Sequence, residues 1–284
     1  ARVMMASTDT RDGAAVTMEA LDLGAIDFIE KPVNIVYLKS SGFKDQFLDT
    51  LYAVVSSRQT NISVSPVLTR EKQEESTQRL VNIVRKSSPV VSGQKIVALA
   101  CSTGGPKALQ SVVPRLPAEL AAPVLIVQHM PKGFTQSLAE RLDSISKVRV
   151  KEAAEGDVLE NGVVYISMGG KHMNVVTKGG RATIKYTDEP PREGVKPCAN
   201  YMYESLKASS YAQIVCVVLT GMGADGTKGI VNLETSKKIH VIAQDEASST
   251  VYGMPKAIAS TGLVNQVVSL DNVAQEIIMN VGVR

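Results

Sequence analysis

The chain has 284 residues, 44% of them hydrophobic, with 31 basic against 28 acidic side chains for a net charge of +3. That length allows one large domain or two smaller ones with real cores, and a near-balanced charge without a long basic run excludes backbone-dominated nucleic-acid binding. Cys101, Cys198 and Cys216 stand far apart, without the paired spacing of a zinc site or a disulfide framework, so no metal is expected and a reducing, cytoplasmic setting fits.

The chain opens on Ala1 in an apolar, strand-like run with no methionine, which reads as though its natural start lay upstream. Residues 2–6 (RVMMA) predict a short strand, the run from Gly13 a helix that ends at Gly24, and IDFIEKP a second strand. Asp45 to Ser56 predicts an amphipathic helix, so residues 1–56 make two strand-helix units of a parallel α/β layer. Residues 57–93 are rich in Ser, Thr, Gln and charges and read as a linker, with a short helix in the middle, where Leu80, Ile83 and Val84 share a face. No run approaches the ~20 apolar residues of a membrane-spanning helix, and no signal-peptide pattern opens the chain, so no membrane insertion is expected.

From residue 94 the pattern becomes regular. KIVALAC, VLIVQ, VVYISM, IVCVVL and IHVIA are almost continuously apolar and β-branched, as strands covered on both faces are, with helical stretches between most of them. This predicts an α/β domain over 94–284 with a doubly wound, mainly parallel sheet. VVYISMGGKHMNVVTKGGRATIKY, with Gly-Gly at 169–170 and 179–180, predicts an attached antiparallel hairpin.

Ser102, His129 and Asp225 stand at or just past the carboxyl ends of three of the buried runs. Loops leaving those ends gather on one edge of an open α/β sheet, where a hydroxyl, an imidazole and a carboxylate have the roles of nucleophile, general base and orienting acid. Each has a plainer reading: Ser102 or Thr103 as cap of the helix that begins near Pro106, His129 as a structural histidine with His172 its competitor as base, and Asp225 as a turn or cap residue. LTGMGADG can present backbone N–H groups to an oxyanion. Neither it nor CSTGGPK has a Walker or GxGxxG spacing, which counts against a nucleotide-binding reading.

The segments CSTGGPKAL, QHMPKGFTQSLAERL, GGKHM, LTGMGADG and AQDEASSTVYGMPKAI, in this order, resemble the chemotaxis protein-glutamate methylesterase (CheB) family over nearly all of 94–284. The resemblance implies Ser102 as nucleophile, His129 as base and Asp225 as its orienting acid. It also implies an oxyanion and substrate-binding group of Met222, through its backbone N–H, with Thr103 and Gly223. It further implies hydrolysis of glutamate methyl esters on the cytoplasmic helical bundle of chemoreceptors, deamidation of receptor glutamines, and no cofactor. The alternative is a non-catalytic signalling module that only binds receptor. Two departures stand out. Cys101 replaces a small residue, and Lys196 to Asn200 (KPCAN) stands where the family has Pro-Ser-x-Asp; the second change is expected to bear on the substrate side or on packing, not on the triad. ETSKKIH also lacks a glycine usual before that strand.

ASTDTRDGAAVTMEALDLGAIDFIEKP resembles the second half of a flavodoxin-like response-regulator receiver domain, with Ser7 as switch hydroxyl and Lys31 as phosphate-sensing lysine. Neither Asp9 nor Asp27 matches the phospho-acceptor. A chemotaxis histidine kinase is therefore a partner only of a full receiver. A half-sheet leaves apolar faces uncovered, so residues 1–56 are expected to be poorly stable unless they dock on the esterase domain.

Overall fold

The computed structural model describes residues 1–8, 11–32, 41–57 and 93–284. The predicted linker therefore lies almost wholly outside the described residues, as do its internal helix and Asp9. In the N-terminal segment, strand β1 (Met4–Ser7) pairs in parallel with β2 (Asp27–Glu30) across helix α1 (Arg11–Asp22), and α2 (Ser41–Ser56) follows. Gly24 takes φ +110°, a left-handed conformation that lets the chain leave α1 for β2.

Seven strands form one wholly parallel sheet: β3 (Lys95–Cys101), β4 (Val124–Gln128), β5 (Arg149–Glu152), β6 (Val163–Ile166), β9 (Gln213–Val218), β10 (Lys238–Gln244) and β11 (Gln266–Val268). Their spatial order is β11-β10-β9-β3-β4-β6-β5. All five predicted strands are here. The two edge strands β5 and β11 were not anticipated, because RVKE carries three charges and QVV is only three residues long.

Alternation along each strand divides the core by sheet face. From β3, Val97, Leu99 and Cys101 join one apolar cluster, and Ile96, Ala98 and Ala100 the other. Helices α3 (Gly105–Val112), α4 (Phe134–Ile145) and α8 (Leu270–Val281) cover the first face; α5 (Ala199–Ser205), α6 (Thr227–Glu234) and α7 (Met254–Ala259) cover the second. The antiparallel pair β7 (His172–Lys178) and β8 (Arg181–Thr187) packs on the second face through Met173, Val175 and Ile184.

Only the second Gly-Gly pair is a hairpin turn: Gly179 and Gly180 both have positive φ, 56° and 78°, as a two-residue turn between twisted strands requires. The first pair serves a close approach, because a Cβ at Gly169 would run into the backbone of Pro131 and Lys132.

The N-terminal unit docks. Ala14, Met18, Leu21, Ala25 and Phe28 belong to the same apolar cluster as α3 and α4, and the rings of Phe28 and Phe134 stack at 4.5 Å. Arg141 and Gln110 hold Asp22 at 2.9 and 2.6 Å. This meets the condition under which residues 1–56 were expected to be stable.

Candidate active site

Strand order decides where the site lies. From β3 the chain moves to β4 on one side, and after the hairpin it returns to the other side of β3 as β9, so β3 and β9 flank the point at which the winding reverses. Loops leaving the carboxyl ends diverge there and open a crevice. Ser102 follows β3, His129 follows β4, and the Gly221–Gly226 loop follows β9, so the three candidate residues leave three adjacent strands at the same end.

Backbone bonds continue the sheet past the formal strand ends. His129 N donates to Cys101 O at 3.2 Å, and Ser102 N donates to Thr220 O at 3.0 Å. Ser102 is partly exposed, and among the described residues its hydroxyl takes part in no hydrogen bond. The glycine loop runs directly against it: a Cβ on Gly221 would stand 2.8 Å from Ser102 Cβ. The N–H groups of Met222 and Gly223 find no acceptor among the described residues, and Gly253 lies close enough that a Cβ there would come within 3.1 Å of Gly223 N. Unspent donors beside a hydroxyl are what an oxyanion needs.

Asp225 is buried, 3% exposed, and His129 Nε2 meets its Oδ2 at 2.8 Å, which leaves Nδ1 as the ring nitrogen free to face a hydroxyl. Ala199 N also donates to Oδ2, at 2.6 Å, while Asn200 N, Gly226 N and the Cys198 thiol donate to Oδ1 at 3.0, 2.8 and 3.0 Å. Burial by itself would raise this carboxyl. The bonds from His129, Cys198 and Ala199 outweigh it and hold the group down to about 2. Asp225 is thus an ionised acceptor that also satisfies the orphan N–H groups opening α5. The departure at 196–200 consequently bears on Asp225, the candidate acid, contrary to the sequence-based expectation, because Cys198, Ala199 and Asn200 donate to it.

Of the plainer readings, one is overturned and one holds. Neither Ser102 nor Thr103 caps α3: the cap position is Gly104 at φ 76°, with no side-chain cap bond. Asp225 does serve as a helix cap, its carboxylate receiving the first N–H groups of α5. His172 is buried, and no hydrogen bond joins it to Ser102 among the described residues. Its Nδ1 accepts Cys198 N–H at 3.2 Å and its Nε2 faces Pro190 O at 3.3 Å.

Gln128 and Gln244 escaped the sequence reading. Each is a fully enclosed amide at the last position of an apolar strand. Gln128 Nε2 donates to Ser102 O and His129 O at 3.0 and 3.1 Å, and its Oε1 receives the Cys101 thiol at 3.0 Å, tying the serine loop to the histidine loop. Gln244 Oε1 receives Thr220 N at 2.8 Å. A neutral polar residue closing a β-branched run was the available signal.

A family model described as CheB methylesterase matches residues 97–277. The chain belongs to the CheB methylesterase family. A protein of Geobacillus kaustophilus named protein-glutamate methylesterase/protein-glutamine glutaminase is 39% identical over 280 residues, covering 99% of this chain and 77% of the relative. One of Pyrococcus abyssi with the same name is 40% identical over 278 residues, covering 97% and 72%. The crystal structure of the Thermotoga maritima CheB methylesterase catalytic domain superposes with a TM-score of 0.64 at 37% identity, covering 67% of this chain and all of that one. The matched CheB region contains Ser102, His129 and Asp225 together.

The N-terminal unit reaches this CheB site. Asp27 lies beside Thr103, and Ala53 and Ser56 of α2 border a cavity of about 300 Å³ whose other wall is Thr250, Val251 and Tyr252. Ser7 ends β1 with its hydroxyl on Gly13 O at 2.9 Å, and Lys31 N donates to Ser7 O at 2.6 Å, so the two predicted switch residues are neighbours.

Burial raises Asp27 to about 6, against the lowering influence of Phe28 N–H and Thr103. A carboxyl raised in the folded state contributes stability that is full below the unfolded value near 3.8 and is lost as pH rises through about 6. Asp27→Asn is therefore expected to gain melting temperature over the parent as pH climbs from 4 to 7. Thermal melts of both at each pH check this, and a pH-independent difference would contradict it.

Proposed function

We propose that the chain is a serine hydrolase that removes methyl groups from glutamate methyl esters of chemoreceptors, with Ser102, His129 and Asp225 as nucleophile, base and orienting acid. The observation that carries the reading is the 2.8 Å contact of His129 Nε2 with the buried, ionised Asp225, at the strand end next to Ser102. Asp225 fixes the proton of the ring on Nε2 and stabilises the imidazolium, so Nδ1 is the nitrogen that takes the hydroxyl proton. Ser102 Oγ bonds to the ester carbonyl carbon and its proton moves to His129. Met222 N–H and Gly223 N–H receive the oxyanion, with Thr103 beside them. The intermediate collapses, the C–O bond to methoxide breaks, and His129 returns the proton so that methanol leaves. Water, activated by the same ring, then splits the acyl-enzyme to free glutamate and Ser102.

With ammonia in place of methanol as leaving group, the same route converts glutamine to glutamate, the second activity in the name that the relatives share. No step requires a metal or cofactor. The substrate is a protein surface, the cytoplasmic helical bundle of the receptor, and the setting is the cytoplasm. Among the described residues no helix is long and apolar enough to cross a membrane. The N-terminal unit reads as the later part of a receiver, with Ser7 and Lys31 in its switch.

A serine-directed organophosphonate is expected to add one covalent group at Ser102, found by peptide mass mapping. Absence of label with retained binding to methylated receptor would favour the non-catalytic binding module instead.

A further inference from the structure

Five donors converge on Asp225. Three are backbone N–H groups, which side-chain chemistry does not alter, and one is His129 itself. The fifth is the Cys198 thiol, 3.0 Å from Oδ1 and fully buried. We propose that Cys198 is a positioning residue whose thiol hydrogen bond sets how much negative charge Asp225 presents to His129, and so sets the strength of the base. The inference rests on the triad reading above.

The thiol is a donor throughout the working range. Burial, the neighbouring Asp225 charge and the bond to it push Cys198 up to about 12, so it keeps its proton. Its place is fixed from behind: His172 Nδ1 accepts Cys198 N–H, and His172, itself lowered by burial, is held in the tautomer that meets Pro190 O with Nε2. The Arg192 pair with Glu204, at 2.8 and 2.9 Å, braces α5 on the same side. An S–H group is a weaker donor than O–H or N–H. A thiol therefore seats Asp225 while drawing off less of its charge than a hydroxyl would.

Other titratable groups surround this arrangement. Tyr203 of α5 lies in the core beneath Asp225 and burial drives its phenol far above the usual range; Cys101 at the end of β3 is raised likewise. Asp27 of the N-terminal unit touches Thr103, and Lys171, Lys196, Asp188 and Glu189 surround His172. All of these stay constant when only residue 198 is changed.

Two substitutions then act in opposite senses. In Cys198→Ser a stronger donor withdraws charge from Asp225, and the His129 ring titrates at lower pH. In Cys198→Ala the donor is gone, Asp225 presents more charge, and the ring titrates at higher pH. Each displacement is expected to be about half a pH unit. The chain has three histidines, so ring-proton NMR on the intact protein follows His129 without depending on turnover. His240, on Gln266 at 3.0 Å in a distant part of the sheet, reports whether the variants remain folded. The acidic limb of kcat/KM for methanol release is expected to move with the ring. Opposite displacements support the inference. Equal displacements, or none, overturn it and leave the triad reading in place; a parent protein that releases no methanol would instead defeat that reading, and the ring titrations would still decide the role of Cys198.

Discussion

Ser102→Ala is expected to lower methanol release from methylated receptor by at least about 10⁴-fold, because no acyl-enzyme forms without the hydroxyl oxygen. The same variant is expected to keep its melting temperature. The hydroxyl makes no hydrogen bond among the described residues, and the retained Cβ still packs where the Gly221 backbone passes. Loss of rate with an unchanged fold is thus the signature to look for. Turnover within a few-fold of the parent would remove Ser102 as nucleophile.

Asp225→Asn is expected to damage both activity and fold. Whichever way the amide turns, its NH2 group replaces an oxygen that receives at least two donors: His129 Nε2 and Ala199 N on one side, or the Cys198 thiol, Asn200 N and Gly226 N on the other. Donor facing donor in a buried site costs about 2–4 kcal/mol. The ring also loses the anion that stabilises its protonated form, and kcat is expected to fall about 10³- to 10⁴-fold. Because Asp225 is held near 2 in the fold against 3.8 ordinarily, its ionisation contributes stability that is full above about 4 and lost as pH falls toward 2. The stability gap between parent and Asp225→Asn should therefore narrow on acidification. Denaturant melts from pH 6 down to pH 3 check this, and a gap that widens would contradict the assignment of Asp225 as a buried anion.

The parts of the fold legible in the sequence are those with a periodic or compositional mark. Ile96 to Cys101 and Ile214 to Val218 are apolar at every position because helices cover both faces of the sheet, and that continuity identifies them. Strands β5 and β11 carry no such mark: each lies at a rim of the sheet, where Arg149 and Val267 face solvent. Ser102, His129 and Asp225 were legible because each is a reactive side chain placed where an apolar run stops. The groups that aim them were harder to see. Ala199 and Asn200 act on Asp225 through backbone N–H, which no side chain advertises, and the partners of Cys198 and Gln128 are set by contacts between segments far apart in the chain. A thiol in place of a serine looks neutral in sequence and turns out to touch the acid.

Adjacent residues of β2 face two different tasks. Asp27 lies beside Thr103, next to the candidate nucleophile Ser102, and Phe28 lies against Phe134 of α4. Lifting this strand off the larger domain would pull apart that aromatic stack and wet both rings. Phe134 also belongs to the core beneath the parallel sheet, so the seam between the two units and the heat resistance of the larger one rest on the same ring.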